Sequence, residues 1–239
     1  MAGDVNPGHR PFQHAPPEDT AQLAVSVHLF HHLVTTSVRD ISKHQAASQC
    51  MRDAGSVAIT RHGGGGYAAA DYMLQFQSFN TFVADVKLSG GSFYFEMEVI
   101  EISGAVQFGC CSADFQPRKV ASEEGAGDDG SSWGVCGLRQ EKWHAGKKCA
   151  FGNKWRVGDV IGFALDEHAA GSYVISVSVN GSLVSPNGLP FSGIDAPFLS
   201  PALSGDGQDR ASFGDRPFAH APPGPEFVSV HEFGQAEMG

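Results

Sequence analysis

Hydrophobic and polar positions along the chain follow two different rhythms. Between residues 20 and 46, Leu23, Val27, Phe30, Val34, Val38 and Ile41 recur at three- or four-residue steps. That spacing lines one face of an α-helix. Asp19 or Thr20, just after two prolines, supplies a suitable N-cap. The spacing therefore predicts an N-terminal helical segment over 20–52. From Ser56 onward the period shortens to two. In GSFYFEMEVIE (91–101), Phe93, Phe95, Met97 and Val99 alternate with Tyr94, Glu96 and Glu98, which predicts a half-buried strand with the second set facing solvent. AVQFGCC (105–111) alternates in the same way. VGDVIGFALD (157–166) is a turn followed by a strand apolar on both faces, as in a sandwich core. In GSYVISVSVNGSLV (171–184), Tyr173, Ile175, Val177 and Val179 share a face, and Asn180-Gly181 supplies a two-residue hairpin turn. FLSPALS (198–204) and DRASFG (209–214) read as two further strands. At least eight short strands divided by turn residues, with no helical run between them, predict an all-β fold, an antiparallel β-sandwich.

Composition narrows the function. A formal net charge of −10 without a Lys/Arg-rich run argues against nucleic acid as a partner. No apolar run approaches the ~20 residues a bilayer span needs, and MAGDVNPGHR lacks the apolar core of a signal peptide. The expectation is a soluble cytoplasmic protein that does not insert into membranes. Five cysteines (Cys50, Cys110, Cys111, Cys136, Cys149) show no close-pair metal spacing and suit buried thiols in a reducing compartment. A zinc site from Cys136, His144 and Cys149 is the weaker alternative, and His28 and His32 lack a third ligand nearby.

The chain also repeats itself. GHRPFQHAPP (8–17) and GDRPFAHAPP (214–223) agree at eight of ten positions, and VSVHLF (25–30) and VSVHEF (228–233) at five of six. The offsets are 206 and 203 residues, nearly the whole chain. The pattern is that of one unit of a tandem array, with a duplicated terminal motif packed beside its twin as the weaker reading. It divides the chain into a tail of a preceding unit (1–19), a helical linker (20–52), the sandwich (53–227) and the start of a following linker (228–239).

Three glycine-rich or acidic stretches invite a chemical reading. HGGGGY (62–67) lacks the lysine and Ser/Thr of a phosphate loop and reads as a flexible loop. GAGDDGSSWG (125–134) lacks the alternating acids and terminal glutamate of a calcium loop, and a strand rather than a helix follows it. It reads as a turn in which Asp128 and Asp129 bond backbone amides and Trp133 enters the core. No Gly-x-Ser-x-Gly elbow, His-Glu-x-x-His or defensible carboxylate pair is present, so neither a catalytic residue nor a cofactor is assigned. His144, isolated, reads as structural.

The order GSFYFEMEV, VQFGCC, GAGDDGSSWGVCG, KWHAGKKCAFGNKWRVGDVIGFALD, YVISVSVNGSLV and FLSPALS…DRASFGDRPFAHAPP resembles a SPRY domain over about residues 55 to 227. It is most similar to the SPRY repeats of ryanodine receptors and of large multidomain scaffold or ubiquitin-ligase proteins. Cys110-Cys111 depart from the pattern, where the family often carries tryptophan. The resemblance implies a non-enzymatic module that presents loops at one edge of the sandwich to a protein or peptide. Phe95, Phe108, Trp133, Trp143 and Trp155 are then framework residues, together with Asp128, Asp129, Asn180 and Gly181. Arg118, Lys119 and Arg139, on charged loops, are the candidate partner-binding residues. A second reading makes the domain a structural repeat packed against its neighbours in a channel or ubiquitin ligase, with no separate ligand. A third, a calcium-dependent lectin-type sandwich, would need exposed aromatics beside Asp/Asn ligands.

Overall fold

The computed structural model describes residues 48–50, 57–62, 71–102, 104–116 and 124–237, all within the compact unit spanning 38–239. The predicted helix over 20–52 lies outside these residues except at its end. There Ser48–Cys50 is a strand, β1, rather than helix.

Two long strands form the spine. β3 (Asp71–Asp85) and β12 (Ser200–Ser212) pair antiparallel along most of their length. β1 and β2 (Val57–His62) line the other edge of β3. The free edge of β12 is shared by two partners. Its first half pairs with β5 (Val106–Cys111) and its last four residues with β4 (Ser92–Val99). From β5 one arm runs outward through β6 (Ser132–Cys136), β7 (Glu141–His144) and β8 (Lys147–Ala150). From β4 the other runs through β9 (Val160–Ala169), β10 (Ser172–Val179) and β11 (Gly188–Asp195). β12 divides the arms at Gly205-Asp206-Gly207, where its register with β3 shifts and Gly207 takes a φ of 127°. An L side chain rarely adopts that conformation, so glycine is needed at the bend. The two predicted strands at 198–204 and 209–214 are thus one bent strand.

The arms curl over a shared core. Phe95 and Phe163, cross-strand partners of β4 and β9, stack at 5.2 Å, and Trp155 stacks on Phe108 of β5 at 5.1 Å. All four belong to one buried cluster with Tyr72, Tyr173, Leu203 and Phe213. A Cβ on Gly137 would overlap the Trp155 ring, so the turn after β6 has room only for glycine. The two-faced apolar strand predicted at 157–166 is found in β9, where Ile161 through Leu165 are buried.

The outer face of β4 corrects the sequence reading. Tyr94 and Glu96 are 2% and 3% exposed, not solvated. The chain leaving β12 folds back across them: the Ala219 and His220 amides donate to the Glu96 carboxylate at 2.7 and 2.8 Å, and Phe218 meets Tyr94 edge-on at 4.8 Å. Burial, then the Glu96 charge, raises the Tyr94 phenol far above its ordinary value. Beyond this cover, β13 (Phe227–Ser229) pairs parallel with residues 92–94, on the edge β12 leaves open. Helix α1 (Val230–Glu237) follows, with Val230 buried and Phe233 against Phe93 at 4.8 Å. Residues 228–233, at the opening of the segment read from sequence as a linker, pack on the sandwich.

Candidate functional site: a cleft beside an edge strand

The GAGDDGSSWG loop is held by its own aspartates. Asp128 accepts from the Gly125 amide at 2.6 Å, and Asp129 accepts from the Ser131 amide at 3.0 Å and the Ser132 hydroxyl at 2.6 Å. Burial raises the Asp128 carboxyl above its usual range, partly offset by the Gly125 bond and the Arg139 charge. The loop fixes the start of β6. Register then sets Trp133 directly across from His144 of β7, and their rings stack at 4.8 Å. His144 Nδ1–H donates to the Ser132 carbonyl at 2.8 Å, which leaves Nε2 as the ring's acceptor.

That stacked pair forms part of the wall of a cleft of about 580 Å³. Across from it runs β11, from Pro190 to Asp195, and Ser112, Asp114 and Ser131 close one side. Lys142 crosses the gap, its ammonium bonded to the Pro190 carbonyl and 5.5 Å over the Phe191 ring. With Lys142 so engaged, Asp114 and Asp195 are the exposed charges of the rim. β11 ends the sheet order, so its outer edge has no strand partner among the described residues. Pro190 lacks an amide proton and suits an edge strand, which is also why the GLPFSGID stretch does not read as a strand from sequence.

The residues singled out from sequence are dispersed. Arg118 and Lys119 lie outside the described residues. Arg139 is exposed in the turn that joins β6 to β7, its guanidinium 4.9 Å over Trp143 and its Nε donating to Cys136 Sγ at 3.3 Å. Trp143 is half-buried between Arg139 and Lys148 and is not a member of the core, whereas Phe95, Phe108, Trp133 and Trp155 are. Asn180 and Gly181 form the expected turn with φ of 50° and 76°, and Asn180 accepts from the Val160 amide at 2.9 Å and donates to Asp159 at 2.9 Å. Cys110, Cys111 and Cys136 are buried thiols and Cys149 an exposed one, none of the four in a disulfide. Among the described residues no three His, Cys, Asp or Glu side chains converge as a metal site, and Cys136, His144 and Cys149 do not meet. No helix among them is long and apolar enough to cross a membrane.

No curated protein matches the chain. Residues 92–209, from the first residue of β4 to Asp209 of β12, just past its bend, match the family model of the SPRY domain, the family that the ordered motifs resemble.

Proposed function

We propose that this chain is a non-enzymatic protein-interaction module that takes an extended peptide, or a loop of a partner protein, along β11 and into the adjoining cleft. SPRY domains are generally protein-interaction modules, typically without catalysis. The observation that carries the reading here is the pairing of a strand edge that has no strand partner among the described residues with a cleft walled by stacked Trp133 and His144. An edge strand offers main-chain groups to an added strand, and the neighbouring cavity supplies side-chain selectivity. The acidic rim, Asp114 and Asp195, favours a ligand with a basic residue beside an apolar one. Arg118 and Lys119 follow Asp114 within five residues in sequence and remain, on this reading, candidate partner-binding residues.

The test is a selection of peptides on the full chain from a displayed random library, followed by affinity measurement on variants. Phe191→Asp and Asp195→Lys are expected to weaken the selected peptides at least about tenfold, a loss typical of a contact residue at an interface centre. Arg139→Glu, across β7, is expected to leave them unchanged. Equal binding to the cleft variants, or loss on Arg139→Glu alone, would move recognition elsewhere.

The sequence repeat favours a second reading, in which the domain is one unit of a larger scaffold of the kind found in ryanodine receptors or multidomain ubiquitin ligases. Both readings suit a cytoplasmic protein and can hold together.

A further inference from the structure

The two copies of the repeated sequence differ in a pattern that the structure explains. In the C-terminal copy, the side chains and amides that touch the sandwich include Phe218 on Tyr94, the amides of 219 and 220 on Glu96, His220 against Gly181, Val230 in the core and Phe233 on Phe93, beside the pairing of β13 with residues 92–94. The N-terminal copy keeps the matching side chains as Phe12, His14, Val27 and Phe30. The bonds to Glu96 come from main-chain amides and survive the change of Ala219 to Gln13.

Two further contacts join parts of the C-terminal segment to each other. His231 Nδ1 meets Asp215 at 2.6 Å, and Ser229 and Glu232 form a reciprocal capping box at 3.1 and 3.3 Å. In the N-terminal copy Asp215 becomes His9 and Glu232 becomes Leu29. Of the three replacements inside the matched blocks, two fall on the internal locks and the third, at Ala219, leaves main-chain amides in place; between the blocks GPEF (224–227), with Phe227 of β13, is replaced by the seven residues EDTAQLA (18–24).

We propose that residues 8–30 are a docking segment for a cradle of the same chemistry as the one 214–233 fills. That cradle is a β-strand with aromatic–Tyr–aromatic–Glu order, a buried carboxylate for two main-chain amides, and an apolar rim for the two phenylalanines. Its owner is another β-sandwich of this kind, because the cradle of this chain already holds 214–233. The inference rests on the repeat-array reading and gives it a contact code. It is independent of the cleft, which shares no residue with the cradle.

The test grafts a copy of residues 8–30 in place of 214–233 in the full chain, whose own cradle serves as the probe. The N-terminal original carries Phe12→Ala in every variant, so that only the inserted segment is read. The graft is expected to fold, with a melting midpoint lowered by about 4–8 °C for the two lost locks. Replacing the inserted phenylalanine copied from Phe12 by alanine is then expected to lower the midpoint again, by as much as Phe218→Ala does in the native segment. A graft indifferent to that phenylalanine overturns the proposal. A graft that does not fold also overturns it when Asp215→His, Ala219→Gln and Glu232→Leu, made together at native spacing, do fold. If that triple variant fails as well, the differing residues are incompatible with the cradle and the proposal falls. None of these failures touches the peptide-cleft reading, which the Phe191 and Asp195 variants decide.

Discussion

Asp209 shows how far a single buried carboxyl departs from solution behaviour. It sits on β12 with 1% exposure, one oxygen lacks a hydrogen-bond partner, and the Glu101 charge is near. Burial, then Glu101, lifts its pKa from 3.8 to about 7, against a smaller opposing effect of the Ile100 amide. The folded state therefore holds a proton that the unfolded chain releases near pH 4. Between pH 4 and 7 the folded state binds more protons, so stability falls as pH rises through this window. Asp209→Asn removes the titration. It is expected to match the native chain near pH 4 and to be more stable by about 4 kcal/mol at pH 8. Denaturant melts of both proteins at the two pH values check this; an equal difference at both would mean that Asp209 does not titrate in the fold. The position also shows a limit of pattern reading. DRASFG carries the alternation of a strand, but the bend at Gly205–Gly207 and the crowding of β3 and β4 on either side bury the aspartate, and neither neighbour is local in sequence.

At the scale of elements, the edge of β4 is divided between β12 and β13, and removing either leaves main-chain groups of a buried strand unpaired. Truncation after residue 226 deletes β13 and α1, strips Phe233 from Phe93 and uncovers the core next to Val230. The shortened chain is expected to melt well below the full one and to bind a hydrophobic dye at temperatures where the full chain does not. Unchanged melting would mean that the segment is an appendage. The sequence shows this element poorly, since three residues of strand and eight of helix are too short for either period to declare itself. By contrast, β10 is legible because its alternation matches an alternating burial, β4 and β5 keep the alternation of a strand although both their faces are covered, and β9 shows as a run apolar on both faces. β3 escapes notice although it is the longest strand: Tyr72, Leu74 and Phe76 alternate, but three residues then bulge opposite Asp206 and the alternation breaks. The cleft was less legible still. Trp133 and His144 are visible as motif residues, but Phe191 and Asp195 reach them only through the sheet order that brings β11 across.

For the whole molecule, the decisive feature is that two arms hang from one strand yet share one core. Had each arm closed on its own apolar cluster, the arms could open separately. Instead Phe108 of one arm and Phe95, Phe163 and Tyr173 of the other lie in a single buried cluster, with Trp155 from the connection between the arms stacked on Phe108. A cavity made in either arm removes contacts from both. Phe108→Ala and Phe163→Ala are each expected to cost about 3–5 kcal/mol and to lower one common unfolding transition. Hydrogen exchange gives the sharper reading. The slowest amides of β5 and of β10 are expected to open with the same free energy in the native chain and to fall together in both variants. If Phe108→Ala speeds exchange in β5 through β8 while β9 and β10 keep native protection, the arms fold as separate units. A partner seated at the cleft would then bridge two units, and its binding would stabilise the junction between them. With one cooperative unit, a ligand on β11 raises the stability of both arms alike.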